Sequence, residues 1–181
     1  MKTACNVIND DHRDACLEEF LEHTDALYGF ALRLTKTSDD ANDLVQDTYL
    51  RAVRYVDHYE RGTNTRSWLF RMMHNLFINN YHREKKNPII KMNEDNDYQF
   101  DVAVKPEVYQ HTFSDEVMIA FNGLNPNMKA ALFLCDVENL KYDEIAEILS
   151  IPLCTVKTRI HRARSSVKKS LLNSGFFIRN N

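Results

Sequence analysis

Between Leu153 and Lys169 the sequence places Lys157, Arg159, Arg162, Arg164, Lys168 and Lys169 with no acidic residue among them. Cations at that density suit a polyanion: Arg and Lys neutralise phosphates, and Lys and Thr can also reach base edges. Val156, Ile160, Ala163 and Val167 recur at i, i+4, i+7 and i+11, the mark of one apolar helix face. The opposite side then offers Cys154, Lys157, Thr158, His161 and Arg162. Just upstream, "YDEIAEILS" predicts a helix that buries Ile145, Ala146 and Leu149, with small Ala146 permitting a close crossing. Ser150 and Ile151 form a tight connection, and Pro152 falls in the first turn of the next helix, where its missing N–H costs nothing. This is the layout of a helix-turn-helix, whose second helix enters the major groove. Lys157 suits guanine acceptors and Thr158 a short, versatile contact, while Arg159, Arg164, Lys168 and Lys169 suit phosphates. His161, with an ordinary pKa near 6.5, would make binding mildly pH-dependent.

The basic helix sits in a chain of net charge −3. Charge is segregated. Arg61, Arg66, Arg71, Arg83, Lys85, Lys86 and Lys91 form one basic block, and Glu94, Asp95, Asp97, Asp101, Glu107, Asp115 and Glu116 form an acidic one after it. Such blocks, not the sum, decide whether nucleic acid is attracted. Other chemistry is not supported. Cys5, Cys16, Cys135 and Cys154 show no C-x-x-C pair and no His at zinc spacing, so buried or incidental thiols are expected and no metal site. There is no nucleotide-binding loop and no nucleophile paired with a base, so the expectation is a protein that is not an enzyme and needs no cofactor. No apolar run approaches the roughly 18 residues that span a membrane. The first residues show no apolar stretch of signal-peptide type, and an intracellular, cytoplasmic protein without direct membrane insertion is expected.

The elements that must position these groups read almost entirely as helix. Leu17, Phe20, Leu21, Leu27, Tyr28, Ala31 and Leu34 recur near one side, and Ser38 or Asp39 suits an N-cap for the next helix. That helix has a buried face of Ala41, Leu44, Val45, Thr48, Ala52, Tyr55 and Val56. "HYERGTNT" is a loop. In "RSWLFRMMHNLFINNYHR", Leu69, Met72, Met73, Leu76 and Phe77 face inward, Arg71, Asn75, Asn79 and His82 line a polar face, and Trp68 and Phe70 are assigned to the core. Periodicity stops over residues 88–112 and returns at Ser114. The fold class is therefore all-α: two small helical domains, 12–87 and 113–173, joined by a flexible acidic linker, 88–112, the second domain holding the helix-turn-helix.

The stretch "DDANDLVQDTYLRAVRYVDHYERGTNTRSWLFRMMHNLFINNYHREKK" resembles region 2 of the sigma-70 family, most closely its extracytoplasmic-function (ECF) group. "LNPNMKAALFLCDVENLKYDEIAEILSIPLCTVKTRIHRARSSVKKSL" resembles region 4 of the same group. The order is right, with a linker between. The resemblance implies a bacterial initiation factor that binds core RNA polymerase, both the coiled coil of its largest catalytic subunit and its flap, and that recognises and opens promoters. It implies docking by Asp43, Gln46, Asp47 and Arg51. It implies that Tyr59, Gly62, Thr63 and Asn64 in the loop, with Arg71, Asn75 and Asn79 in the following helix, capture the melted non-template strand at the minus-10 element. Amide side chains donate and accept on one base edge, and rings stack, so the residue types fit; Tyr59 could equally be a packing residue. Arg83, Lys85 and Lys86 would hold the backbone of the upstream duplex, and Cys154, Lys157, Thr158, His161 and Arg162 would read the minus-35 element. An anti-sigma factor is the further partner implied, and nucleoid association when active. A stand-alone helix-turn-helix regulator would leave the N-terminal half without a task, and an enzyme with a DNA-binding tail would need a catalytic cluster that the sequence lacks.

Overall fold

The computed structural model describes residues 13–35, 37–60, 63–86 and 114–174. Helical residues 13–21 form α1, followed by α2 (Thr24–Leu34), α3 (Ser38–Arg54), a 3-10 turn (Val56–His58) and α4 (Thr65–Lys86). The second half comprises α5 (Asp115–Asn122), α6 (Pro126–Asp136), α7 (Tyr142–Leu149) and α8 (Leu153–Asn173). No strand occurs among the described residues. The expected linker over 88–112, Arg61 and Gly62 lie outside them.

In the first half α3 packs on α2 and on α4. Phe20, Leu27, Phe30, Ala31, Leu44, Ala52, Leu69, Phe70 and Met73 fill the space between them. Burying each large apolar side chain contributes about 1.5–3 kcal/mol, which is what holds short helices of modest propensity in place. The α3 start differs from the sequence expectation. Thr37, not Ser38 or Asp39, is the N-cap: its hydroxyl oxygen accepts from Asp40 N–H at 3.0 Å, and Asp39 and Asp40 occupy the first turn. Two residues assigned to apolar faces are exposed. Leu21 ends α1 just before the turn at 22–23, and Tyr55 lies past the last turn of α3, where neither face continues.

In the second half α6 and α7 pack on α8, and α5 closes the other side of α8. Asn125 caps α6, its side-chain oxygen accepting from Met128 N–H at 2.9 Å, with Pro126 in the first turn. The α7–α8 connection turns on Ser150, whose φ of 54° places it in the left-handed region. Ile151 N–H then donates to Ala146 C=O at 3.0 Å, closing the end of α7. Val156, Ile160 and Ala163 are buried and Val167 half-buried, the apolar face that the spacing predicts. Ile148 joins Ile145 and Leu149 in the core.

The halves are not independent beads. α6 lies on α2 and α7 on α4. Phe30 bridges them: it meets Phe70 edge-to-face at 5.2 Å on one side and stacks on Phe133 at 5.4 Å on the other.

Candidate nucleic-acid interface

The long basic helix α8 presents Cys154, Lys157, Thr158, His161 and Arg162 to solvent, opposite the buried Val156–Ile160–Ala163 face. The Thr158 hydroxyl donates to Cys154 C=O at 2.9 Å, leaving its oxygen free to accept. A cleft of about 250 Å³ lies between the N-terminal end of α6 and this face, lined by Asn125, Asn127, Thr155, Thr158, Arg159 and Arg162 among others. Two arginines beside amides and hydroxyls can hold a phosphate oxygen in that cleft. Asn127 and Thr155 were not legible in the sequence as site residues, because an Asn behind a helix cap reads as capping and Thr155 lies between the two faces of α8.

The cations assigned to phosphates differ in availability. Lys168 and Lys169 are exposed. Arg159 is half-buried, and burial pulls its guanidinium below the ordinary value. Arg164 is engaged: its guanidinium forms an ion pair with Asp136 on α6, donates from Nε at 3.2 Å to the same carboxylate, and reaches Cys135 Sγ at 3.4 Å. The hydrogen bond that Arg164 donates to Asp136 raises its pKa further, so this side chain stays charged and held. Burial pushes the Cys135 thiol up, away from reactive thiolate character.

On α4, Arg71, Asn75 and Asn79 form an exposed stripe at i, i+4 and i+8, with Arg83 exposed beyond it. Lys85 and Lys86 lie in the last turn of α4. Asn64 stands at the start of the helix, its Oδ1 accepting from Ser67 N–H at 3.1 Å. The Thr63 hydroxyl donates to Glu60 C=O at 2.7 Å. Tyr59 requires a correction. Its ring is 4% exposed, packed edge-on to Phe20 at 5.2 Å and against Trp68 at 5.0 Å. Its hydroxyl donates to Glu19 at 3.0 Å and is bonded to Thr65. With both faces and its polar tip engaged, Tyr59 is a packing residue in this arrangement and offers no stacking surface to a base.

On α3, Asp43, Gln46, Asp47 and Arg51 are all exposed, and the Arg51 guanidinium lies 5.8 Å from the Tyr55 ring centroid. Leu50, exposed between them, was missed by the sequence reading; its signal is a large apolar residue on a wet face. Among the described residues no group of His, Cys, Asp and Glu is arranged to hold a metal ion, and no helix is long and apolar enough to cross a membrane.

Comparison with known proteins fits this two-part arrangement. The family model Sigma-70 region 2 matches residues 20–87, and Sigma-70, region 4 matches residues 114–167. The ECF RNA polymerase sigma factor EcfG of Rhodopseudomonas palustris is 30% identical over 162 residues, covering 90% of this chain and 88% of that protein. The chain belongs to the sigma-70 family, in its extracytoplasmic-function group. Members of this family are promoter-specific initiation factors of RNA polymerase. The ECF sigma factor SigE of Mycolicibacterium smegmatis is 36% identical over 152 residues, 83% of this chain; the match spans 59% of that longer protein. Among solved structures, the sigma factor RpoE of Bartonella quintana, in complex with the anti-sigma factor NepR, superposes with a TM-score of 0.70 at 28% identity, covering 85% of this chain and 94% of that one. In these terms α2–α4 carry region 2 and α5–α8 carry region 4.

Proposed function

We propose that this sigma factor docks on core RNA polymerase through the exposed face of α3, reads the minus-35 element with α8, and opens the promoter at the minus-10 element with the start of α4. The observation that carries the reading is the pairing, in one chain, of a recognition helix with a separate polar helix face. Cys154, Lys157, Thr158, His161 and Arg162 are free for a major groove while Asp43, Gln46, Asp47 and Arg51 are free for a protein partner. A stand-alone regulator has no use for the second surface.

In this reading Lys157 takes guanine acceptors, Thr158 accepts from a base edge, and Lys168 with Lys169 fixes the helix on the backbone. Asn64, Asn75 and Asn79 present amides to unstacked bases, with Arg71 beside them for phosphate, Arg83, Lys85 and Lys86 on the upstream duplex, and Gly62 and Thr63 assigned to the same strand capture. Capturing extruded bases offsets an unstacking cost of a few kcal/mol, so opening needs no nucleotide hydrolysis. The chain acts in the cytoplasm, on the nucleoid, and lends recognition to polymerase without catalysing a reaction of its own. An anti-sigma factor is the natural counter-partner, given that the RpoE relative was solved with one.

Gel filtration with bacterial core RNA polymerase tests the reading, with Asp47→Lys as the control. Co-elution of the native chain and its loss in the variant is the expected result. A well-folded chain that does not co-elute would overturn it.

A further inference from the structure

The loop that leads into α4 is held from α1. Tyr59 and Thr65 flank that loop, and both are buried. Their hydroxyls lie within hydrogen-bond reach of each other and of one carboxylate oxygen, Glu19 Oε1, which the Tyr59 hydroxyl meets at 3.0 Å. The two hydroxyls bring the protons, and the carboxylate brings only acceptors. Burial raises the Tyr59 phenol above its ordinary value, so it keeps its proton and remains a donor. α1 is itself pinned. Cys16 and Phe20 are fully buried, Phe20 C=O accepts from the Tyr49 hydroxyl at 3.2 Å, and Arg13 is ion-paired at 3.4 Å with Asp57 in the 3-10 turn.

The clasp passes its geometry straight to the neighbouring residues. Thr65 N–H donates to Thr63 C=O at 2.9 Å, and Trp68 N–H donates to Asn64 C=O at 3.1 Å. Asn64 is exposed. The residues beside Thr65 touch the seam between the two halves, Asn64 Nδ2 lying 3.5 Å from Glu144 Oε1 and Arg66 ion-paired with Glu138 on the link between α6 and α7. The clasp, in contrast, is built from side chains of the first half. An apolar pair at 59 and 65 would fill the same space without a carboxylate. Bringing one in costs desolvation, and a cluster of this kind adds direction more than stability, since hydrogen bonds fix angles as well as distances. That direction is delivered at residue 64, next in the chain to Thr65. The Sigma-70 region 2 match begins at residue 20, so Glu19 lies just ahead of the segment it covers.

We propose that Glu19 is a positioning residue for strand capture: by clasping Tyr59 and Thr65 it holds Thr63 and Asn64 in the shape that a melted strand binds, before DNA arrives. Groups already in place need not be ordered when the strand is taken, so the gain falls on opening and not on the first encounter with duplex. The proposal rests on the assignment of Asn64 to the minus-10 edge.

The test uses holoenzyme assembled from the full chain and bacterial core polymerase, on a duplex promoter that the native holoenzyme selects from a random-sequence library. Lag times for abortive products at several holoenzyme concentrations separate the first binding constant from the opening rate. Thr65→Val removes one hydroxyl with little change of shape, Glu19→Ala removes the carboxylate, and Thr65→Ser keeps the hydroxyl. Thr65→Val and Glu19→Ala should open the promoter about tenfold more slowly, with first binding within about twofold of native, as misplacement of a distant support does. Thr65→Ser should open it at close to the native rate. Should Glu19→Ala lose its helical circular dichroism, Thr65→Val decides. An unchanged opening rate in folded Thr65→Val, first binding that falls as far as opening, or Thr65→Ser no faster than Thr65→Val overturns the proposal. Asn64→Ser, which keeps a capping hydroxyl and loses the amide, tests the assignment beneath it. If Asn64→Ser opens at the native rate, the reading of Asn64 falls and the proposal with it. Slow opening in Asn64→Ser beside native rates in the clasp variants removes the clasp alone.

Discussion

The imidazole of His74 on α4 is buried within reach of the charge of Arg159 on α8, and neither ring nitrogen is hydrogen-bonded. Burial first, and the Arg159 charge second, push the His74 pKa down to about 4. The relationship crosses from region 2 to region 4, so the protonation of one ring reports on the joining of two halves.

Its consequence is a pH dependence with a definite sign. Near pH 7 the ring is neutral in the folded chain and mostly neutral in the unfolded one, so it contributes only a small pH slope. Between about 6.5 and about 4 the unfolded chain binds a proton that the folded chain refuses, so stability falls as pH falls. For this shift the loss is about 2 kcal/mol between pH 7 and pH 5. Urea midpoints at the two pH values measure it. His74→Leu removes a buried ring with no hydrogen bonds to lose, and should shrink the drop between pH 7 and pH 5 by that amount. An equal drop in native and variant chains would show that His74 is not the group responsible.

The seam explains what the sequence could not disclose. Helix positions and the two faces of α8 were legible because Val156, Ile160, Ala163 and Val167 repeat over a long helix. The acidic face of α3 was legible for the same reason. Phe133, Glu138 and His74 were not, because each sits on a helix or link whose pattern is already satisfied by its own domain. Which half they face is decided by contacts far apart in sequence. Tyr59 failed differently: an aromatic residue in a basic loop suits stacking or packing equally, and only Phe20 and Trp68 decide. Leu21 and Tyr55 failed because a period carries no information about where a helix stops.

Ser150 predicts a gain in stability. Its φ of 54° and ψ of 43° place a non-glycine residue in the left-handed region at the turn between α7 and α8. A side chain there is strained by about 1–2 kcal/mol. Gly removes the strain and gives back part of it as unfolded-state entropy, so Ser150→Gly should stabilise by about 1 kcal/mol. Ser150→Val, branched at Cβ, should destabilise. Thermal melts of the two variants should move in opposite directions, and a common direction would contradict the turn geometry.

Lys157 predicts a change in specificity without a change in fold. It is exposed on the free face of α8. Lys157→Ala should leave the melting temperature within error and reduce discrimination at one position of the minus-35 element by about 1–3 kcal/mol. Competition binding of holoenzyme to a promoter and its single-base variants measures this. A uniform weakening across all variants would mean that Lys157 contacts phosphate instead.

Arg164 offers the converse case, a cation already committed within the protein. Asp136 holds it from α6, yet both side chains are substantially exposed, at 51% and 40%. Solvent screens such a pair, so Asp136→Ala should change stability by no more than about 1 kcal/mol. The guanidinium it releases lies on the basic helix, where a DNA backbone passes in the proposed complex. Each additional phosphate contact steepens the dependence of log affinity on log salt by about 0.9. Asp136→Ala should therefore tighten duplex binding at low salt and steepen that slope by about one contact, while base preference is unchanged. The acid now removed also repelled DNA on its own account, and that long-range effect would tighten binding too. Arg164→Ala combined with Asp136→Ala separates the two: if the steeper slope survives the double substitution, repulsion by Asp136 explains it and Arg164 makes no contact with the backbone.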